Sequence, residues 1–269
     1  MSTLTVERTD TATHQTLPGV RPIPMTRLVG IETTKMFDTR SGFWLLTSVG
    51  ILAVLATGAT LLFAPREELT YDSFAAAIGV PMTVVLPMIA VLAVTSEWTQ
   101  RTGLTTFTLV PHRGRVITAK LISTLLVGVV SIATAFAVGA LGNLAGSAIA
   151  GVDTVWDISL GHALLILLAD GLGMLMGFTL GVLIRNSPGA IVGYFVYALV
   201  LPAALGTLAA FQDWFADLQG WVDFQFSSTR LYDGGLTGSD WAHLGTSGLL
   251  WLVAPLAIGL WMLLRSEVK

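Results

Sequence analysis

The sequence predicts an all-α polytopic membrane protein with six transmembrane helices and an N-terminal cytoplasmic amphipathic helix. Hydrophobic residues make up 54% of the chain and charged residues only 12%, whereas about 25% of residues are charged in an ordinary soluble domain. The mean hydropathy is +0.76. The apolar residues also lie in long segments, without the alternating ten-residue pattern of a membrane β-barrel.

Six segments have the length and composition of a spanning helix, which needs about 20 predominantly apolar residues. The third segment is the hardest to bound, because small residues continue from Gly139 to Gly151. Residues 139–160 therefore fit a continued span, a re-entrant segment or a loop. The predicted spans are residues 43–63, 74–96, 121–142, 161–184, 189–211 and 245–264.

The basic residues predict the topology, because Lys and Arg are enriched in the cytoplasmic segments of membrane proteins. With six spans and a cytoplasmic N-terminus, only Arg66 and Arg230 of the 14 Lys and Arg residues lie on the outer side. The outer segments are instead acidic. We therefore expect a multi-pass protein with both termini in the cytoplasm.

The N-terminal region precedes the first span. Residues 1–24 are polar and lack the apolar core of a cleavable signal, so we expect a flexible cytoplasmic tail followed by a transmembrane domain over residues 25–269. An amphipathic helix is predicted over Met25–Arg40, with Glu32 on its apolar stripe, and the alternative is a solvated turn with an imperfect stripe. This carboxylate favours either docking to a basic partner or an ion pair within the chain. The stripe consists of Met25, Leu28, Val29 and Met36.

A long outer segment separates the fifth and sixth spans. Residues 212–244 are rich in Trp, Phe and Tyr, and Trp and Tyr favour the interface between membrane and water. We expect short outer helices or a re-entrant hairpin in this segment.

Glycines four residues apart occur in two of the predicted helices. Gly173, Gly177 and Gly181 share the fourth span, and Gly142 and Gly146 lie at the end of the third. Small residues at this spacing let helix backbones approach closely. The pattern predicts tight helix packing within the chain, with a dimer face as the alternative.

Prolines interrupt three of the spans, and each removes a backbone donor and loosens its helix. Pro81 and Pro87 lie six residues apart in the second span, which is therefore a candidate bending element. Pro202 and Pro255 interrupt the fifth and sixth spans.

Asp170 is the only acidic residue well inside a predicted span. A carboxylate at that depth is costly and should face the protein interior or water. It is a candidate proton, cation or substrate site. The alternative is a neutral carboxyl group that is hydrogen-bonded to a hydroxyl of a neighbouring helix.

Catalytic and nucleotide-binding motifs are not supported. The lack of cysteine excludes disulfides and thiolate metal sites, and the four scattered histidines form no metal-ligand motif. Gly245–Gly248 matches the Gly-x-Ser-Gly motif of rhomboid proteases, but no histidine follows His243 to serve as the base. A phosphate-binding loop needs Gly-Lys-Ser/Thr, which does not occur. The chain is therefore predicted to be no enzyme and to bind no cofactor itself.

A polar and basic insert lies between the second and third spans. Its ordered features are Glu97, the triplet Arg101-Thr102-Gly103, then Pro111 and Arg113, and finally Lys120 at the start of the next span. The set resembles the cytoplasmic loop of type 2 permeases of ATP-binding-cassette (ABC) transporters, although Thr-Gly replaces the Gly-Thr of that family. The resemblance extends to the amphipathic helix, the six spans and the long outer segment.

Gly103 and Pro111 bracket Leu104–Val110, which is long enough for about two turns of helix. The resemblance implies that this is a coupling helix seated in a groove of a cytoplasmic ATPase. The alternative is that the basic residues only bind anionic lipid and fix the topology. The residues assigned to ATPase coupling are Glu32, Glu97, Arg101, Thr102, Gly103, Leu104, Phe107, Leu109, Pro111, Arg113 and Arg115.

The resemblance also implies partners and a location. Two permease subunits, identical or paired with a homologue, would join cytoplasmic ABC ATPase subunits that bind ATP and Mg, in a bacterial-type cytoplasmic (inner) membrane. Membrane lipid is an expected partner, and nucleic acid is not. Export of a hydrophobic or amphipathic substrate is favoured, because no dock for a soluble binding protein is evident. Candidate residues of the substrate path are Thr83, Asp170, Tyr194, Phe195 and Tyr197.

Two other functions fit the same chain. An ion-coupled secondary carrier would use Asp170, and would transport without an ATPase and fail on Asp170→Asn. The lack of detectable inverted halves disfavours it. A non-transporting assembly or immunity subunit would form complexes without substrate-stimulated ATP turnover.

Overall fold

The computed structural model describes residues 23–99 and 113–265. These two ranges contain no β-strand, and six of their helices are long and apolar enough to cross a membrane. Each predicted span falls inside one of the six. In chain order the helices are α1 (Met25–Asp38), α2 (Arg40–Phe63), α3 (Tyr71–Thr99), α4 (Arg113–Ala150), α5 (Leu160–Ile184), α6 (Ser187–Phe211), α7 (Asp213–Val222), α8 (Phe224–Asp233) and α9 (Gly238–Arg265).

Helix α1 ends at Asp38, two residues earlier than the sequence predicts. Thr39 takes an extended backbone conformation, and its hydroxyl accepts a hydrogen bond of 3.2 Å from the Gly42 N–H. A threonine in this position is a favourable N-cap. The chain therefore turns at Thr39 and starts α2 as a separate helix.

Helix α4 shows that the third span continues as a helix after residue 139. It runs without interruption from Arg113 to Ala150. Gly151 then takes a left-handed φ of 68°, and the Val152 N–H bonds to the Ser147 carbonyl at 3.1 Å. Glycine adopts this conformation at little cost, which makes it a common helix terminator. The third span is thus one helix of 38 residues.

Helix α3 is the centre of the bundle and packs against α2, α4, α5 and α6. Its side chains contribute to two apolar cores. One core joins α3 to α2, α4 and α5, with Phe178 and Leu86 among its fully buried members. The other joins α3 to α5, α6, α8 and α9 around Tyr194, Tyr197 and Leu252. The outward faces of the helices remain apolar, as residues in contact with lipid would be.

The glycine spacing marks close helix packing within the chain, as the sequence predicts. A Cβ atom on Gly177 would lie 2.5 Å from the Pro87 carbonyl oxygen of α3. Cβ atoms on Gly142 and Gly146 would lie 2.9 Å and 3.1 Å from the ring of Phe74. Glycine is therefore what allows α3 to approach both α4 and α5 this closely.

Pro87 leaves one carbonyl of α3 without its usual helical partner. A proline has no N–H to donate to the residue four positions earlier, which is Thr83. The Tyr194 hydroxyl of α6 donates to the Thr83 carbonyl at 2.9 Å instead. The side chain of a neighbouring helix thus satisfies the backbone group that the proline frees.

Replacement of Tyr194 by Phe is expected to destabilise the bundle by about 0.5–1.5 kcal/mol, the usual net contribution of one hydrogen bond, because the Thr83 carbonyl would lose its donor. Thermal unfolding in mild detergent measures the loss. Tyr71→Phe is the matched control, since Tyr71 also donates to a backbone carbonyl, that of Phe136, at a longer 3.2 Å. Equal stability of Tyr194→Phe and the native chain would contradict this role.

Pro202 and Pro255 do not break their helices. Each is preceded by a five-residue π-helical segment, Val196–Val200 in α6 and Leu249–Val253 in α9. A wider turn at this point accommodates the proline, whose ring would otherwise clash with an earlier carbonyl. The two segments contact each other through Tyr197 and Trp251, whose ring centroids are 6.2 Å apart.

Short helices α7 and α8 connect α6 to α9, as the aromatic-rich segment predicts. The Trp251 indole N–H of α9 donates to the Val222 carbonyl at the end of α7 at 2.7 Å. Asp223 separates the two short helices and caps α8 by accepting from the Phe226 N–H at 3.1 Å. Helix α8, which Asp223 caps, also packs on α5 and is therefore part of the bundle.

Candidate functional site

Four charged side chains from three helices form a closed ring of alternating sign. Glu32 and Lys35 of α1 pair at 2.8 Å, and Lys35 pairs with Glu97 near the end of α3 at 3.0 Å. Lys120 of α4 then pairs with Glu97 at 3.1 Å and with Glu32 at 2.5 Å. We call these four residues the ion-pair ring.

Three members of the ion-pair ring are almost fully buried. Glu32, Glu97 and Lys120 are 6%, 3% and 3% exposed, whereas the side chain of Lys35 is 42% exposed. Lys120 also donates to the Ala93 carbonyl at 3.2 Å. Buried charges are tolerated only when they are paired and hydrogen-bonded, and this ring meets that condition.

The ring fixes α1 against the bundle. The stripe that carries Glu32 faces α4, where Leu28 packs on Val116 and Ala119. The Ser123 hydroxyl of α4 donates to the Val29 carbonyl at 3.0 Å. Of the two possibilities for Glu32, the structure thus contains the ion pair within the chain, and the protein itself covers the stripe.

Lys35 is charged at neutral pH. Burial disfavours its charged form, but the hydrogen bonds and charges of Glu32 and Glu97 outweigh that effect and raise its pKa. The ammonium group therefore keeps its positive charge over the whole physiological range.

The ion-pair ring lies where α3 ends and α4 begins, on either side of residues 100–112. Seven of the residues predicted to couple to an ATPase fall outside the described residues and stay predictions. They are Arg101, Thr102, Gly103, Leu104, Phe107, Leu109 and Pro111.

Arg113 and Arg115 open α4 and bond to backbone at the same end of the bundle. Arg113 donates to the Leu263 carbonyl of α9 at 3.2 Å. Arg115 donates to the Ile23 carbonyl just before α1. Both arginines remain partly exposed. They join the start of α4 to both ends of the described chain.

A hydroxyl cluster joins α3 to the start of α6 next to the ion-pair ring. The Ser187 hydroxyl lies 2.7 Å from that of Thr95 and 2.8 Å from that of Thr99. Ser187 and Thr95 are both buried. Polar contacts therefore join five helices at this end of the bundle, which are α1, α3, α4, α6 and α9.

Asp170 lies inside the bundle and bonds to a hydroxyl of another helix. The Tyr232 hydroxyl of α8 donates to it at 2.9 Å, and Asp170 is 5% exposed. Burial raises the pKa of Tyr232, so this phenol stays a donor. The His162 ring bonds to the Tyr232 carbonyl at 2.8 Å. The hydrogen bond of the Asp170 carboxyl group thus links α5 to α8.

The other candidate residues of the substrate path do not share one surface. Tyr194 and Tyr197 are buried in the second core, with ring centroids 6.1 Å apart. Thr83 is exposed on α3 and Phe195 is exposed on α6. The structure places the Tyr194 hydroxyl against the Thr83 backbone. The five candidate side chains, however, do not line one common surface.

Lys35 and Tyr232 are the functional candidates that the sequence reasoning does not single out. Lys35 stands three residues after Glu32, a spacing at which helical side chains meet. That spacing is the signal that could have identified it. Tyr232 carries no such signal, because its partner Asp170 is 62 positions away.

Comparison with known proteins leaves the family open. No protein-family model matches the chain, and no curated protein is similar to it in sequence.

Proposed function

We propose that the chain is the transmembrane permease subunit of an ABC exporter. It would move a hydrophobic or amphipathic substrate out of the cytoplasm with ATP hydrolysed by a separate ATPase subunit. Two permease copies, or one copy and a homologue, would form the path through the membrane, and the insert at residues 100–112 would contact the ATPase.

The ion-pair ring is the observation that best supports this proposal. It joins α1 to the two helix ends that flank residues 100–112, so a force on the insert acts on α1, α3 and α4 together. Glu32 and Glu97 are buried and paired, so they would transmit movement between helices and not contact the ATPase directly. The charged surface for the ATPase would come from Arg113, Arg115 and the insert.

Copurification tests the proposal directly. The tagged chain, extracted in mild detergent from its native membrane, is expected to retain an ABC ATPase and to show ATP hydrolysis that substrate stimulates. Mass spectrometry identifies the partner, and a phosphate-release assay measures its turnover. A pure homomer with no nucleotide-binding partner, under conditions that preserve complexes, would contradict the proposal.

Replacement of Phe107 by Ala is expected to lower transport at least tenfold while ATP hydrolysis continues, because the permease would lose its apolar contact with the ATPase. Arg101→Ala should act in the same direction. Phe211→Ala is the matched control, since Phe211 is an exposed phenylalanine on α6, far along the chain from the insert. Unchanged transport in both insert variants would contradict the assignment of ATPase coupling to these residues.

Asp170 supports a second candidate, an ion-coupled carrier. Its carboxyl group is buried, and no Lys or Arg in the described ranges pairs with it. Such a carboxyl group is a candidate proton or cation site. Transport by the purified chain in vesicles without nucleotide would favour this function over the first.

A further inference from the structure

We propose that a cavity beside the ion-pair ring binds one membrane phospholipid, with Lys35 donating to its phosphate. The cavity has a volume of about 810 Å³ and lies between α1, α2, α3, α4 and α6. Small-molecule sites typically measure about 300–1,000 Å³. The cavity can therefore hold a headgroup and the upper part of an acyl chain.

The lining changes from charged to apolar along the helices. Lys35 and Glu97 line one part, and Leu46 and Ile89 line another. Glu97 and Ile89 are eight positions apart on α3, which is about 12 Å along a helix. A ligand that fits both parts is an amphiphile with a polar head and an apolar chain.

Lys35 supplies the hydrogen bond that a phosphate needs. An ammonium group carries three N–H donors, and Glu32 and Glu97 accept two of those of Lys35. The side chain is 42% exposed and lines the cavity. The third donor is therefore accessible to an anionic oxygen.

The opening of the cavity favours a lipid over a free anion. The exposed residues of the lining mark this opening, and they are Ile31 of α1, Ser41 of α2, Thr99 of α3 and Pro188 of α6. The surface of α2 beyond the opening is apolar and exposed at Val54 and Leu55. An acyl chain that leaves the cavity would continue along this surface, whereas free phosphate would gain nothing from it.

The headgroup contact is tested by comparing two lipids and two proteins. Native mass spectrometry of the full chain in mild detergent would count bound phosphatidylglycerol and bound diacylglycerol with identical chains. We expect the native chain to bind phosphatidylglycerol at least tenfold more tightly, as a hydrogen bond to a charged group implies. Lys35→Gln keeps amide donors for the two carboxylates and should abolish this preference. An undiminished preference in Lys35→Gln would overturn the contact.

The position of the lipid is tested by filling the cavity. Leu46→Trp places a larger side chain in the lining and should lower phosphatidylglycerol binding at least tenfold. Leu62→Trp is the control on the same helix, because Leu62 is 78% exposed and lies outside the cavity. Native binding by Leu46→Trp would overturn the site. Neither measurement involves an ATPase, so the outcome is independent of the proposed function.

Discussion

Replacement of Lys120 by Met is expected to lower the free energy of unfolding by about 3–5 kcal/mol, the usual cost of breaking a buried ion pair by removing one partner. Glu32 and Glu97 would then share Lys35 as their only partner within the ion-pair ring, at positions where water cannot screen them. The apolar packing of α1 on α4 would be strained by the same change. Thermal and denaturant unfolding in mild detergent measure the loss.

Two further variants separate the loss of a buried charge from a general loss of packing. Lys35→Met should cost less than Lys120→Met, because the Lys35 side chain is 42% exposed and water can take over part of its contact with the carboxylates. Glu32→Gln combined with Lys120→Met leaves one carboxylate for one ammonium and should recover more than half of the loss. Equal destabilisation by Lys120→Met and Lys35→Met would contradict this account.

Replacement of Gly177 by Leu is expected to prevent the folded bundle from accumulating, because a Cβ atom there meets the Pro87 carbonyl oxygen at 2.5 Å. The oxygen belongs to the backbone of α3, so it cannot move aside as a flexible side chain would. Gly177→Ala should cost about 1–3 kcal/mol as α3 and α5 separate to admit one methyl group. Size-exclusion chromatography and thermal unfolding measure both effects.

Gly171 supplies the matched control on the same helix. A Cβ atom at Gly171 meets nothing within 4 Å, and alanine is favoured over glycine in a helix by about 0.5–1 kcal/mol. Gly171→Ala should therefore be neutral or slightly stabilising. If Gly177→Ala behaved like Gly171→Ala, the close approach of α3 and α5 would not depend on glycine.

The positions of the long helices could be predicted from the sequence because hydrophobic length is a local property. The glycine contacts could be predicted for the same reason, since Gly173, Gly177 and Gly181 need only a helical period to share one face. The π-helical segments before Pro202 and Pro255 could not. A proline predicts a disturbed helix, but whether it kinks, breaks or widens depends on the helices packed around it.

The candidate site could be predicted only in part, because it depends on contacts between distant residues. The position of Glu32 on an apolar stripe predicts that it needs a cation, but not which one. Its partner Lys120 is 88 positions away, and the pairing follows from how α1 docks on α4. The position of Asp170 inside an apolar span likewise predicts a polar partner. Its bond to Tyr232 could not be predicted, because it depends on how the short helix α8 packs on α5.

The length of α4 has a mechanical consequence. Thirty-eight residues rise about 57 Å, nearly twice the roughly 30 Å thickness of a bilayer's hydrocarbon core. At a tilt of about 40° such a helix would still span about 44 Å, which matches the roughly 40–45 Å of a bilayer with its headgroup layers. Neither a proline nor a π-helical segment interrupts it. Inserted across a bilayer, such a helix would act as a stiff rod between the two faces, so a spectroscopic probe at its far end should register any movement of Lys120.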